Sequence, residues 1–344
     1  MATPTAAIGS TASPIAAHPT AASPAAAHPT AASPAAGSPT AGAPVLEEVA
    51  DGVHAFVQPP GGWCLNNAGL VTGRPGGEGP PVLIDTAATE SRARLLRREA
   101  ERVAPGGPGI VVNTHFHGDH TFGNSLFTPR AVVVAHEGTR ADSAEAGLGL
   151  CGLWPGVEWG EIPLTLPTLT FRDGLTLHAG GLRVELLHLG PAHTADDTVA
   201  WVPERGVLFT GDLVWSGVTP FVLMGSVTGS LRALERMRAL APRVVVPGHG
   251  PVGGPELLDS TEAYLRWLLR TAEESVRDGL PPLEAARRAD LGGFAGLLDP
   301  ERLVGNLHRA RAELEGLPPG ARMDVAGPFG EMVAYHGGLP DCHA

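Results

Sequence analysis

Within six positions, His115, His117, Asp119 and His120 place three imidazoles and a carboxylate close together. Imidazole nitrogen and carboxylate oxygen are good ligands for a borderline divalent cation such as zinc. A lone histidine in a polar turn would carry no such meaning, but four ligand-type side chains at this spacing do. The apolar, β-branched run 110–112 just before them reads as a buried strand, so the cluster sits in the loop at its C-terminal end. Loops carried on a rigid sheet are where chemistry tends to be placed. Three further runs end in the same way. The run 184–189 leads into Gly190-Pro191-Ala192-His193-Thr194, 207–209 into Thr210-Gly211-Asp212, and 244–246 into Pro247-Gly248-His249-Gly250. Glycine at such places lets the backbone turn sharply and bring a side chain close to an ion. Any one of these is readable as a structural turn, and Asp212 alone as a cap. Four strand ends in succession, all bearing His or Asp, point instead to one metal centre.

The elements that must position these residues follow from periodicity. Strands are expected at 53–57, 68–72 and 81–84, the last ending at Asp85, with Gly61-Gly62-Trp63-Cys64 in the loop between the first two. An arginine-rich amphipathic helix is expected at 90–103, a strand at 132–135, a helix at 136–148 and a loop at 150–167. Strands follow at 169–171, 175–178, 182–189, 198–202 and 207–210, then a helix at 231–240 and a buried strand at 244–246. Beyond Pro255 only helical spacing remains, at 257–277, 283–289 and 301–314. Strands with interspersed helices followed by an all-helical segment imply two packed sheets flanked by helices. The division expected is a tail at 1–44, a catalytic core at 45–254 and a helical C-terminal segment at 255–344 that covers the metal edge. The tail is built from Ala, Pro, Thr and Ser, repeats His-Pro-Thr-Ala-Ala-Ser-Pro-Ala-Ala from His18 and from His28, and is expected to be disordered and partly polyproline-II.

Composition narrows the function classes. A net charge of −12 argues against a general nucleic-acid binder. No run of eighteen or more uncharged apolar residues is present, so no membrane span is expected. Three cysteines, Cys64, Cys151 and Cys342, are an odd count without a CxxC pair, which fits a reducing compartment, and the start of the chain lacks a secretory pattern. A cytoplasmic location is the expectation.

The set His115, His117, Asp119, His120, His193, Asp212 and His249 resembles the complete ligand pattern of the metallo-β-lactamase superfamily, with HxHxDH intact and the later motifs in family order. The resemblance implies an α/β, αββα sandwich with two divalent metals at one edge. His115, His117 and His193 would hold the first, Asp119, His120 and His249 the second, and Asp212 would bridge them. Asp85 matches a family aspartate that supports the ligand loop without binding metal. Zinc suits such an N/O site best, and iron and manganese are chemically admissible. Gly61-Gly62-Trp63-Cys64, Ser216-Gly217-Val218-Thr219-Pro220-Phe221, Phe294-Ala295-Gly296-Leu297-Leu298-Asp299, Asn306-Leu307-His308-Arg309-Ala310 and Val333-Ala334-Tyr335 resemble one branch more closely. That branch is the aromatic-polyketide cyclases of actinomycetes, of the actinorhodin second-ring type, described as cyclase and thioesterase enzymes on a polyketide bound to an acyl carrier protein.

The resemblance implies second-ring aldol condensation followed by thioester hydrolysis. Both need a polarised carbonyl and an activated water or carbon acid, with Asp119 and Asp212 as the catalytic carboxylates. Trp63, Trp154, Trp159, Trp215 and Phe221 lie in loops suited to line an apolar pocket for a flat substrate, with Tyr335 and His336 as a proton donor or orienting group. Trp201 and Trp267 sit inside regular elements and read as core. An acidic carrier protein needs a local basic patch, for which Arg92, Arg94, Arg97, Arg98 and Arg102 are the candidates; a solvated helix face with i,i+4 pairing is the commoner meaning of such a run. The rival readings share the ligand set: a glyoxalase-II-like hydrolase acting on a small thioester, then a lactonase or β-lactamase, a redox di-iron enzyme, or a binding module that has lost its chemistry. Oligomeric state is not readable from the sequence.

Overall fold

A computed structural model describes residues 42–344. Of the tail expected over 1–44, residues 1–41 lie outside the described part of the chain, as do His18 and His28.

The first sheet is built from β1 (Val45–Ala50), β2 (Val53–Val57), β3 (Ala68–Val71), β4 (Val82–Ile84), β5 (Ile110–Asn113), β6 (Val132–His136) and β7 (Leu169–Phe171), in that spatial order. It begins as an antiparallel meander through β4 and becomes parallel from β4 to β7. The crossovers that parallel pairing requires are α1 (Glu90–Val103) and the short α2 (Gly118–Thr121), followed by α3 (Glu137–Ala146) and α4 (Leu150–Leu153). The second sheet holds β8 (Gly174–Ala179), β9 (Leu182–His188), β10 (Thr198–Val202), β11 (Val207–Phe209) and β12 (Val244–Val246), ordered 12-11-10-9-8. Only β11 and β12 run parallel there, and α5 (Val227–Ala239) makes the crossover. The C-terminal helices are α6 (Glu256–Arg277), α7 (Pro282–Arg288), α8 (Arg302–Leu314) and α9 (Ala326–His336).

Strand alternation sorts the apolar side chains into three layers. Ile84, Val112, Val134 and Phe171 face Val184, Leu186, Ala200 and Phe209 between the sheets. Leu83, Val111 and Val133 point the other way, onto Leu96 and Ala100 of α1. The outer face of the second sheet, with Val199, Trp201, Leu208 and Val245, is covered by Leu234 of α5, Leu265 and Leu268 of α6 and Leu307 of α8. The result is the αββα arrangement with added C-terminal helices. Trp201 belongs to this outer core and Trp267 packs against it.

Several element boundaries differ from expectation. β1 was not anticipated, because its charged VLEEVA lies at a sheet edge and alternates weakly. α9 was not anticipated either, since Gly327, Pro328 and Gly330 depress helix propensity. The expected helix at 231–240 begins earlier, at Val227, where the Ser226 side chain caps it by accepting from Gly229 N–H. The expected loop at 150–167 opens with the helical turn α4. His136 ends β6 and caps α3, so it does not start the helix. The helices after residue 255 mostly cover the second sheet's outer face. The segment before α8 and the last residues of the chain reach Trp63 and Trp154, through Glu301 and the Pro340 carbonyl.

Candidate metal centre

Every ligand-type residue sits just beyond the C-terminal end of a strand: Asp85 after β4, His115–His120 after β5, His193 after β9, Asp212 after β11 and His249 after β12. These ends converge on one edge of the two sheets. His115, His117, His193 and Asp212 offer ligand atoms that all lie within 4.8 Å of one another, and so do Asp119, His120 and His249. Asp212 touches both groups, with Oδ2 3.4 Å from His193 Nε2 and Oδ1 3.1 Å from His120 Nε2. Oδ2 also lies 3.4 Å from His249 Nε2, which is in turn 3.4 Å from Asp119 Oδ2.

Hydrogen bonds on the far side of four of the five rings fix which nitrogen faces inward. His193 Nδ1–H donates to Phe221 O at 2.5 Å, and His249 Nδ1–H donates to Gly61 O at 3.0 Å. His120 Nδ1–H donates to Asp85 Oδ2 at 2.8 Å. Asp85 also accepts from Thr114 N–H and Thr114 Oγ1–H, each at 2.8 Å, and Thr114 Oγ1 lies 3.0 Å from His115 Nδ1. With its hydroxyl proton committed to Asp85, Thr114 accepts from His115 Nδ1–H. Such outer partners orient metal-binding imidazoles and set their tautomer.

The donor set fits a cation. His115 Nε2 and His193 Nε2 are left with lone pairs, and both point at His117 Nδ1, at 3.1 and 2.8 Å. Three nitrogens and a carboxylate oxygen therefore converge with too few protons among them. His117 Nε2 is buried with no hydrogen-bond partner, and His120 Nε2 and Asp212 Oδ1, also buried, face each other at 3.1 Å without good hydrogen-bond geometry. Burying unpaired polar groups is costly, and a divalent ion in each cluster would satisfy them.

Electrostatics distinguishes the two clusters. Burial, with His193 beside it, pushes the His117 imidazolium down to about 3, and His115 is also lowered, by burial and His120. Burial opposes charge on His249 as well, but Asp212 and Asp119 outweigh it and raise the group to about 9. His120 is raised by Asp212, Asp85 and Asp119 against its burial. Burial works against ionising Asp119, yet His120 and His249 hold it down at about 2; Asp212 is likewise held well below the usual range by His249 and His120 against its burial. Both carboxylates are thus ionised at neutral pH.

The aromatic candidates form a wall beside this centre. Trp215 stacks on His249, with centroids 4.6 Å apart and planes at 13°, and its Nε1–H donates to Asp212 O at 2.7 Å. Phe221 lies 6.3 Å from His193 and meets Trp63 edge-on at 5.5 Å; Trp63 is tilted against Trp154 at 5.5 Å. Trp154, Trp215 and Phe221 are buried, whereas Trp63 and Tyr335 are partly exposed. Trp154 Nε1–H donates to Pro340 O, which holds the chain's end against this wall, and Trp159 bonds to Trp154 O. His336 bonds to Gly338 O on the exposed end of α9. Of the α1 arginines, Arg94, Arg97 and Arg102 pair with Glu90, Glu101 and Glu99, and Arg92 reaches Gln58 and His343 O.

Sequence reasoning missed Thr114, the carbonyls of Gly61 and Phe221, and the side chain of Asn67, which donates to Pro247 O and Gly250 O and so clamps the His249 loop. It also missed His136, His188 and Asp196, a separate cluster in which the two rings stack 4.1 Å apart at 8°. The strand-end rule used for the other histidines would have found that cluster, since His136 and His188 end β6 and β9.

A family model described as "Metallo-beta-lactamase superfamily" matches residues 61–249. Among curated proteins, the hydroxyacylglutathione hydrolase of Methylococcus capsulatus is 26% identical over 253 residues, which is 70% of this chain and 85% of that protein. The type 2 metallo-beta-lactamase of Bacteroides fragilis is 25% identical over 198 residues, 56% of this chain and 74% of its own. A linear primary-alkylsulfatase from a Pseudomonas species is 25% identical over 253 residues, covering 61% of this chain; the chain spans about half (48%) of the alkylsulfatase's length. In fold, a metallo-beta-lactamase from Pontibacter korlensis superposes on 65% of this chain and 99% of its own, with a TM-score of 0.53 at 24% identity.

Proposed function

The chain belongs to the metallo-beta-lactamase superfamily, whose members are metal-dependent hydrolases, and from that premise we propose that it is a two-metal cyclase and thioesterase acting on an aromatic polyketide carried by an acyl carrier protein. The observation that carries the metal half of this reading is the convergence of the His115, His117 and His193 nitrogens, with too few protons among them, beside the Asp212 carboxylate. His115, His117 and His193 would hold one ion, Asp119, His120 and His249 the other, with Asp212 between them; zinc suits this donor set best.

What supports the polyketide half is where the more specific segments lie. Trp63 meets Phe221, Thr219 N–H donates to Leu298 O, and Asn306 bonds to Val222 N–H and Pro220 O. The stretches 61–64, 216–221, 294–299 and 306–310 thus make one continuous layer beside the ligand loops. A flat, apolar substrate would meet the aromatic side chains of that layer, Trp63 foremost because it is partly exposed.

When bound, the two ions supply Lewis acidity toward a carbonyl oxygen and a lowered pKa for water. Asp119, ionised, would serve as an ion ligand, and Asp212, also ionised, is the carboxylate that would accept the proton of a 1,3-dicarbonyl carbon during aldol closure. Their Oδ atoms lie at the inner edge of the cluster, against His249 and His120. The aromatic wall would orient the chain and exclude bulk water.

The second reading is a glyoxalase-II-like thioesterase on a small soluble thioester, favoured by the long match to hydroxyacylglutathione hydrolase. One experiment separates the two. Purified protein is offered a carrier-bound polyketide and a glutathione thioester, and products are resolved by mass spectrometry. A cyclised acid released only from the carrier, and lost in His120→Ala, is expected. Hydrolysis of the glutathione thioester alone would replace the first reading with the second. Carrier docking on α1 is part of the proposal. Charge reversal at Arg94 and Arg98 that leaves KM for the carrier-bound substrate unchanged would dismiss it.

A further inference from the structure

Arg302 opens α8, beyond the residues matched by the family model, and its side chain is only 1% exposed. A buried guanidinium must be paired and hydrogen-bonded to be tolerated. It forms an ion pair with Asp299 at 2.9 Å and donates to Thr219 O at 3.1 Å. Its planar face lies over two rings, 4.0 Å from the centroid of Trp63 and 4.6 Å from that of Trp215. Trp215 is the indole stacked on His249, and its Nε1–H is tied to Asp212 O. One turn on, Asn306 accepts from Val222 N–H at 2.9 Å and donates to Pro220 O at 2.7 Å, gripping both neighbours of Phe221, whose carbonyl orients His193.

We propose that the first turns of α8 are a positioning element of the metal centre, with Arg302 acting through Trp215 on His249 and Asn306 acting through the Phe221 carbonyl on His193. Each locks a group that locks a ligand. Stacking by a planar, delocalised cation is a role that lysine cannot reproduce. Arg309 supplies the comparison. It is equally buried in the same helix and bonds to Leu223 O and Ala321 O, but it lies over none of these rings.

The inference rests on the two-ion reading above, and the test keeps the two apart. Metal-free protein is titrated with cobalt(II), the visible absorption giving two stepwise affinities. Unaltered protein that takes up fewer than two ions would sink the two-ion reading itself. If two bind, Arg302→Met is expected to weaken one step about 10–100-fold, the range found when outer partners of metal ligands are lost, and to leave the other within a few-fold. That step should be the one abolished by His249→Ala. Asn306→Ser is expected to weaken the opposite step, the one abolished by His193→Ala. Arg302→Lys, the milder change, is expected to shift the same step as Arg302→Met and decides the matter if Arg302→Met does not fold. Equal weakening of both steps by Arg302→Met or Arg302→Lys, the same pattern from Arg309→Met, or unchanged affinities would overturn the proposal.

Discussion

Asp85 shows how much one side chain can organise without meeting an ion. It adopts φ 60°, in the left-handed region, and accepts from Thr114 N–H, Thr114 Oγ1–H and His120 Nδ1–H. Asp85→Asn replaces one accepting oxygen by a donor and is expected to weaken metal binding about 10–100-fold while the protein stays folded, as read by chelator competition and circular dichroism. A second expectation concerns protons. With His249 raised to about 9, its imidazole is protonated at pH 7 in the metal-free protein, and His120 is shifted in the same direction, whereas Asp119 and Asp212 are already ionised. Ligation requires neutral imidazole, so metal uptake at pH 7 releases protons, and apparent affinity should climb with pH until about 9. Calorimetry in buffers of different ionisation enthalpy measures that release; proton-neutral uptake would contradict it. At this scale the sequence was legible where chemistry is distinctive: His and Asp after β-branched runs are rare enough to stand out. The Phe221 and Gly61 carbonyls were invisible because every residue carries one.

Among the elements, the two sheets pack closely where β3 faces β11. A Cβ at Gly69 would run into the ring of Phe209, a buried group with nowhere to go. Gly69→Ala is expected to cost about 1–3 kcal/mol through overpacking, seen as a lower urea midpoint at unchanged slope. Gly248 presents a related constraint with a different outcome. A Cβ there would strike Asp212 Oδ1 and crowd the Gly211 backbone, so Gly248→Ala should displace a proposed ligand and lower metal content together with stability. Strands such as Val82–Ile84, Val207–Phe209 and Val244–Val246 were legible because burial on both faces writes an unbroken apolar run. β1 and α9 were not, since an edge strand can be charged and a packed helix can tolerate glycine and proline. Tertiary contacts supply in both cases what local pattern withholds.

At the scale of the whole molecule, none of the described helices is long and apolar enough to cross a membrane. The seven ligand-type residues come from four loops, one on the first sheet and three on the second, so ions that bind the folded chain and not the unfolded one must stabilise it. Removing metal with a chelator is expected to lower Tm, and adding zinc back to restore it; a Tm indifferent to both would argue against a site that is formed only on folding. The two-sheet plan with terminal helices was legible from the order of periodicities. The use of those helices was not, because the contact between α8 and the aromatic wall joins residues far apart in the chain. That contact also has a consequence in time. Translation delivers His115 first, His249 much later and Arg302 later still. A nascent chain paused after His249 has every candidate ligand but lacks the turn that steadies two of them. On the proposal above, a chain ending there would carry all seven candidate ligands yet hold its ions less firmly than the full chain does.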